Sequence, residues 1–321
     1  MKILGRINKV PGGLMVIPLL LGTVFNTFFP STLAIGGFTT ALFKTGTLTL
    51  LSLFCFCNGA QISVKQAGLP LIKGSSLTLM RLILGIFFGW LVGAIFGGIS
   101  LLGIYPLALI SAMTNANGGL YGALAGEYGD ASDVGAISIT TLMDGPFFTM
   151  VALGATGTAK LPLMLFIAAL VPIILGFILG NLDPELKDFL KAGTVMPIPF
   201  FAFSLGAALN FNQIIKAGIP GILLGVMVTL IAGSLGYLLM KHLVRSKHPE
   251  VGAAIGTTAG NAAATPAAIA AVLPSFQTTA AAATAQIAAS VIVTALLCPV
   301  LVSWLAKHRQ KNIIPEKKME L

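Results

Sequence analysis

Two short polar stretches, set in an otherwise apolar sequence, hold residue types able to do chemistry. The first, SAMTNANGGLYGAL (111–124), crowds Thr114, Asn115, Asn117, Gly118 and Gly119 together. The second, GTTAGNAAATPAAIA (256–270), holds Thr257, Thr258, Gly260, Asn261, Thr265 and Pro266. Asn and Thr both donate and accept hydrogen bonds, so a set of them around one cavity can read hydroxyls, a carbonyl and a carboxylate. Gly and Pro break helices, and a broken helix inside a membrane survives only when buried in protein or lining a wet cavity. The N–H groups that open a half-helix favour an anion, and Pro266 suits the first turn of such a helix. Thr114, Asn115, Asn117, Gly118, Thr257, Thr258, Asn261 and Thr265 are therefore the candidate substrate-binding residues. The competing role is glue between helices. Whether Asn115 or Asn117 faces the cavity is open, because neighbours two apart on a helix need not share a face.

Asp144, in LMDGPFF, is the clearest ionisable residue within an apolar segment. An intramembrane carboxylate is by default a proton or cation site, and burial raises its pKa towards neutrality. Glu127, Asp130 and Asp133 lie between apolar segments, where N-capping carboxylates on a solvated turn are expected; Glu127 is also a candidate for coupling-ion binding. Arg81 lies a short way into its segment and is expected to snorkel to the cytoplasmic face, with pairing to a substrate carboxylate as the minority option. His242, His248 and His308 sit among basic residues and carry no assigned role.

The elements that must position these residues are membrane spans. Of the 321 residues, 56% are hydrophobic and 9% charged, against roughly 25% charged in a soluble domain. Mean hydropathy is +0.95. A window of spanning length finds about ten segments, near 13–29, 45–63, 74–98, 104–126, 131–155, 160–180, 193–210, 217–241, 251–273 and 278–305. The apolar stretch 31–43 is an extension of the second. The start, MKILGRINKVPGGLMVIPLLLG, has a basic lead and an apolar core without a small-x-small cleavage signal, and reads as an uncleaved first span.

The net charge of +9 follows topology rather than nucleic-acid binding. With ten spans, fifteen Lys and Arg fall on the side of the termini and three, Lys44, Lys160 and Lys216, on the other. That asymmetry places both termini in the cytoplasm. Cys55, Cys57 and Cys298 lie in apolar runs without partner His spacing and read as buried thiols.

The halves look alike. NGAQISVKQAG (58–68) parallels LGAALNFNQIIKAG (205–218), the two polar stretches parallel each other, and TTLMDGP (140–146) parallels VTALLCP (293–299). Pro146 matches Pro299, a shared kink, while Asp144 matches Leu297. Two copies with odd span counts insert in opposite orientations, the inverted repeat of many secondary transporters. The expected fold is an all-α polytopic membrane protein of about ten transmembrane helices in two inverted five-helix repeats, with broken crossing helices four and nine. Residues 1–155 form the first repeat, 156–306 the second, and 307–321 a basic cytoplasmic tail. Gly85, Gly89, Gly93 and Gly97 present a smooth packing face.

Nucleophile elbow, phosphate-cradling loop and His/Cys metal cluster are all missing from the sequence, so neither an enzyme, a resident metal nor a cofactor is expected. An ATP-driven pump needs a soluble nucleotide domain for which no sequence remains.

KVPGGLMVIPLLLGTVFNTFFP (9–30), TNANGGLYGAL and DGPFF together resemble the bacterial 2-keto-3-deoxygluconate permease family, over essentially the whole chain. The resemblance implies a proton symporter for a sugar-acid anion in the bacterial inner membrane, and more distantly a fold similar to the bile-acid sodium symporters. An anion entering a negative-inside cell works against about 2.3 kcal/mol per charge per 100 mV; one co-transported proton cancels that charge, and Asp144 is the expected carrier. The rival readings are a sodium symporter of the same fold using Asn115, Asn117, Glu127 and Gln286, a passive channel, and a membrane-embedded enzyme using Asp144 as acid or base.

Overall fold

A computed structural model describes residues 2–7, 13–63, 68–96, 100–143, 145–157, 163–208 and 211–317. The chain is helical because, away from water, a helix satisfies every backbone N–H and C=O within its own segment. Among the described residues the only β pairing is an isolated bridge between Leu101 and Ile104. The principal helices are α1 (Gly13–Phe28), α2 (Thr47–Gln61), α3 (Leu69–Phe96), α4 (Pro106–Thr114), α5 (Gly118–Tyr128), α6 (Phe147–Ala155), α7 (Leu163–Leu182), α8 (Ile198–Gly206), α9 (Phe211–Met227), α10 (Thr265–Val272) and α11 (Gln277–Lys317).

Two groups of helices pack around these elements. In one, α1 lies on α8 and α2 lies on both α7 and α8. The α2–α7 contact is backbone to backbone: a Cβ added at Gly176 would overlap Phe56 O, and one at Gly180 would overlap Ala60 O. Small residues at those positions let two helices approach closely where lipid offers no competing hydrophobic drive. Phe54 and Phe201 close the same group edge to face, with centroids 5.9 Å apart. In the other group, α3 lies on α4 and α6, and α9 lies on α11. Gly85 of α3 faces Thr114 and Ala152, and Gly89 faces Thr156 and Ile110, so half of the expected glycine face is a real packing surface. A Cβ at Gly93 would meet open space, and Gly97 is outside the described residues.

The span count is corrected by this structure. Among the described residues, four helices are long and apolar enough to cross a membrane: Leu69–Ile95, Pro184–Gly206, Gly218–Leu243 and Pro274–Arg309. Counting the pair Gly37–Phe43 and Thr47–Gln61, bent by 61°, as one span makes five. A hydropathy window sums apolar residues without regard to helix continuity, and much of this apolar sequence is interrupted. The segment 104–126 is split at Asn115–Asn117 into two helices of 9 and 11 residues. The segment 251–273 is 3₁₀ turn, extended chain, 3₁₀ turn and one short α-helix. The segment 131–155 is broken into Ala131–Gly135, Ile137–Thr140, a 3₁₀ turn and α6.

No clear inverted repeat emerges among the described residues either. The broken segment 131–155 has as its sequence counterpart 278–305, which lies in the single 41-residue helix α11. The regular helix α3 has as its counterpart a segment containing π-helical turns at Val228–Gly233 and Leu239–Leu243. Three short sequence matches are compatible with quite different backbone paths, because Gly, Ala and Thr are common to any closely packed membrane helix.

Candidate functional site

The two polar stretches meet. α4 ends at Thr114 with Asn115 as its C-cap, residues 115–117 are non-helical, and α5 restarts at Gly118. The second stretch is non-helical from Gly256 to Ala259. The N–H of Asn117 donates to Thr257 Oγ1 at 2.9 Å, joining one break to the other. Breaks buried in this way satisfy backbone groups that no helix can.

Arg81 holds the same junction. Its guanidinium is fully buried, and Nη2 donates to Ala112 O, to Asn115 O and, at 3.1 Å, to Thr257 O. The expectation that Arg81 snorkels to the membrane surface is overturned. Nη2 is held by carbonyls freed at two helix breaks, which keeps the side chain inside rather than at the headgroups, while Nε and Nη1 are buried with no partner among the described residues. None of the ion pairs among the described residues involves Arg81.

A cavity of about 520 Å³ opens beside the junction. Its polar wall comes from Asn58, Asn117, Thr141, Thr194 and Asn261, and Gly118 and Gly119 present the first turn of α5 to it. Asn117 is the N-cap of α5, its Oδ1 accepting from Leu120 N at 2.9 Å. Asn261 is buried, and its Nδ2 has no partner among the described residues. A cavity of this size, largely apolar with a few convergent polar groups, matches a small-molecule site.

The candidate residues divide accordingly. Asn117, Gly118 and Asn261 line the cavity. Asn115 does not; its Nδ2 donates to Ser111 O at 2.9 Å and Thr149 Oγ1 at 3.2 Å. Thr114 Oγ1 bonds Ile110 O at 2.9 Å and shares a 2.8 Å contact with Thr149 Oγ1, pinning α4 to α6. Thr257 serves the junction, and Thr258 bonds Ser290 and Thr294 of α11. Thr265 opens α10, buried, with Pro266 in its first turn. Glu127 is exposed and outside the cavity wall, and Asp144 lies outside the described residues. The set proposed for sodium is dispersed: Gln286 is tied to Tyr105 N and Gly103 O by the loop before α4.

Sequence reasoning missed Asn58, Thr141 and Thr194, which come from three separate parts of the chain and have no common spacing to signal them. Lys73 adds a buried charge outside the cavity wall. That side chain is buried, with Nζ donating to Asp133 Oδ1 at 2.6 Å and Ser132 Oγ at 2.8 Å. The expected N-cap is present: Asp130 accepts from Ser132 N and Asp133 N, and the Asp133 carboxylate returns the bond to Asp130 N.

An all-α chain with helices of spanning length, two buried non-helical breaks and a polar-walled cavity beside them is built as a membrane transport protein. A family model described as 2-keto-3-deoxygluconate permease matches residues 4–311. The chain belongs to the 2-keto-3-deoxygluconate permease family. It is 51% identical over 317 residues to 2-keto-3-deoxygluconate permease 1 of Salmonella typhimurium, covering 99% of each chain. It is 41% identical over 334 residues to the 2-keto-3-deoxygluconate permease of Bacillus subtilis, covering all of this chain and 99% of the relative. The corresponding protein of Xanthomonas axonopodis pv. citri is 40% identical over 318 residues, with 96% and 98% covered.

Proposed function

We propose that this protein is a secondary active importer of 2-keto-3-deoxygluconate or a closely similar sugar-acid anion, coupled to proton entry, in the bacterial inner membrane with both termini cytoplasmic. The observation that carries the reading is the cavity of about 520 Å³ walled by Asn58, Asn117, Thr141, Thr194 and Asn261 at the start of α5. In this reading the substrate carboxylate lies at the Gly118–Gly119 N–H groups, where the positive end of the α5 dipole favours an anion. Asn261 Nδ2, which has no partner among the described residues, donates to a hydroxyl or to the 2-keto oxygen. The buried charge of Arg81 adds to the attraction, being bonded to Asn115 and Thr257, each two residues from a cavity-lining residue.

Asp144 carries the coupling proton and offsets the anion's charge during inward movement. Alternating access moves one group of helices against the other around this cavity. The excess of Lys and Arg on the terminus side supports the orientation.

Uptake of labelled 2-keto-3-deoxygluconate into proteoliposomes, with imposed pH or sodium gradients, tests the reading. Accumulation driven by an inward proton gradient is expected. Equilibration without accumulation identifies a facilitator, and accumulation only under a sodium gradient identifies a sodium symporter. Recovery of chemically altered substrate points to an enzyme.

A further inference from the structure

At the junction between the two helix breaks a buried guanidinium sits among backbone carbonyls. Three backbone carbonyls, Ala112 O, Asn115 O and Thr257 O, converge on the single atom Arg81 Nη2. Two of them come from the C-terminal end of α4, the negative pole of that half-helix. The third comes from the other break. Asn115 adds a buried Oδ1 with no partner among the described residues. Hard oxygen donors gathered from unwound backbone and a half-helix C-terminus are the ligands that secondary transporters give to alkali cations. Arg81 reaches this set from α3, fully buried and with no ion pair among the described residues.

We infer that the Arg81 guanidinium is a built-in substitute for a coupling cation: it occupies an alkali-cation cradle permanently, neutralises the converging carbonyl dipoles, and makes assembly of the site independent of sodium. This goes beyond the transport reading and depends on it only where uptake is measured. A tethered charge cannot be released on the far side of the membrane, so it holds the junction together throughout the cycle and carries no gradient energy. Coupling is then left to a group that can load and release its ion.

The test uses the full-length protein as wild type, Arg81→Ala and Arg81→Lys. Thermal unfolding is followed in detergent in the chloride salts of choline, sodium, lithium and guanidinium, each titrated over the same low concentrations at constant ionic strength, and uptake is followed in proteoliposomes. The wild-type Tm and uptake are expected to be the same in sodium and choline. Arg81→Ala is expected to lose several degrees of Tm in choline and to regain them, saturably, with sodium, lithium or guanidinium, as a ligand that binds only the folded state must. Arg81→Lys, which keeps a tethered cation, is expected to stay near wild type and to ignore sodium.

An Arg81→Ala protein as stable in choline as wild type, or one that none of these cations rescues, overturns the inference. So does wild-type protein whose Tm rises specifically with sodium. Where Arg81→Ala yields no folded protein, Arg81→Lys carries the test: a Lys variant that melts near wild type and ignores sodium supports the inference, and one whose Tm rises with sodium overturns it. Because the melting arms contain no substrate, they stay decisive if 2-keto-3-deoxygluconate proves not to be the cargo, and a failed uptake assay bears on the transport reading alone.

Discussion

The N–H of Asn117 donates to the Oγ1 of Thr257 at 2.9 Å, across 140 residues of sequence. That one bond ties the N-cap of α5 to the second helix break and sets where the cavity wall begins. Replacing Thr257 by Val keeps the shape but removes the acceptor from a partly buried N–H, at a cost of about 1 kcal/mol. Thr257→Val is expected to lower Tm and weaken substrate binding together, and Thr257→Ser to restore both. Melting and equilibrium binding on the two variants check this; equal loss in both variants means the methyl group, not the hydroxyl, matters.

Asn115 and Asn261 separate a structural from a binding role. Asn261→Ala removes an amide that has no partner on Nδ2 among the described residues. It is expected to weaken binding by roughly tenfold, about one hydrogen bond's worth, with little change in Tm. Asn115→Ala breaks the link between α4 and Thr149 of α6, so its larger effect is expected in Tm. Isothermal titration alongside melting reads both, and the reverse pattern would move the site to Asn115.

Asp144→Asn is expected to abolish uphill uptake driven by a pH gradient while sparing exchange of labelled for unlabelled substrate, since exchange needs no net proton movement. Counterflow and gradient-driven uptake in the same vesicles check it. Retained proton-driven accumulation assigns the coupling to another group.

The buried pair between Lys73 and Asp133, 2.6 Å apart, predicts an asymmetric response. Asp133→Ala removes the nearer carboxylate from a buried ammonium, leaving it Ser132 Oγ at 2.8 Å and Asp130 at 3.6 Å, and is expected to cost up to about 3–5 kcal/mol, whereas joint replacement by Met and Leu is expected to cost less, the lost acceptor for Asp130 N remaining. Melting of the single and double variants supplies the comparison, and additive losses count against a coupled pair.

Asp130 supplies a pH signature. The Ser132 hydroxyl above all, helped by the N–H groups of Ser132 and Asp133 and by Lys73 and opposed by desolvation, holds its carboxyl well below the ordinary range. A pKa depressed on folding contributes stability that is fully present above the unfolded value, near about 3.9, and is lost as pH falls towards the folded one. Melting between neutral and acid pH is expected to show a decline below about pH 4 that Asp130→Asn lessens. Asp130 is partly exposed, so the effect is small and screened by salt.

Legibility differs from residue to residue. Thr114, Asn117 and Asn261 are visible as polar groups in apolar sequence, and the interruption of both stretches follows from Gly and Pro chemistry. The capping role of Asp130 is readable from its spacing to Asp133. Arg81 is visible as a charge in an apolar run, but its depth is not, because snorkelling is a rule for side chains facing lipid and Arg81 faces two helix breaks. The hydropathy pattern overcounts continuous spans for a related reason: it measures how apolar a stretch is, and breaks at 115–117 and 256–259 hardly change that measure.

Composition by itself determined that this chain lives in a membrane, because 9% charged residues cannot cover a water-facing surface. Local sequence marked the two breaks at 115–117 and 256–259, because Gly, Pro and Asn act through the backbone beside them, but Pro18, Pro172 and Pro220 lie inside continuous helices and mark no end. Tertiary structure alone decided which polar groups line the cavity. Asn117 lines the cavity while Asn115, two residues earlier, bonds Thr149, and Asn58 and Thr194 join the wall from distant parts of the chain. The reason is that a hydrogen bond depends on position within a few tenths of an ångström, and that precision comes only from packing elements whose separation along the chain no local pattern records.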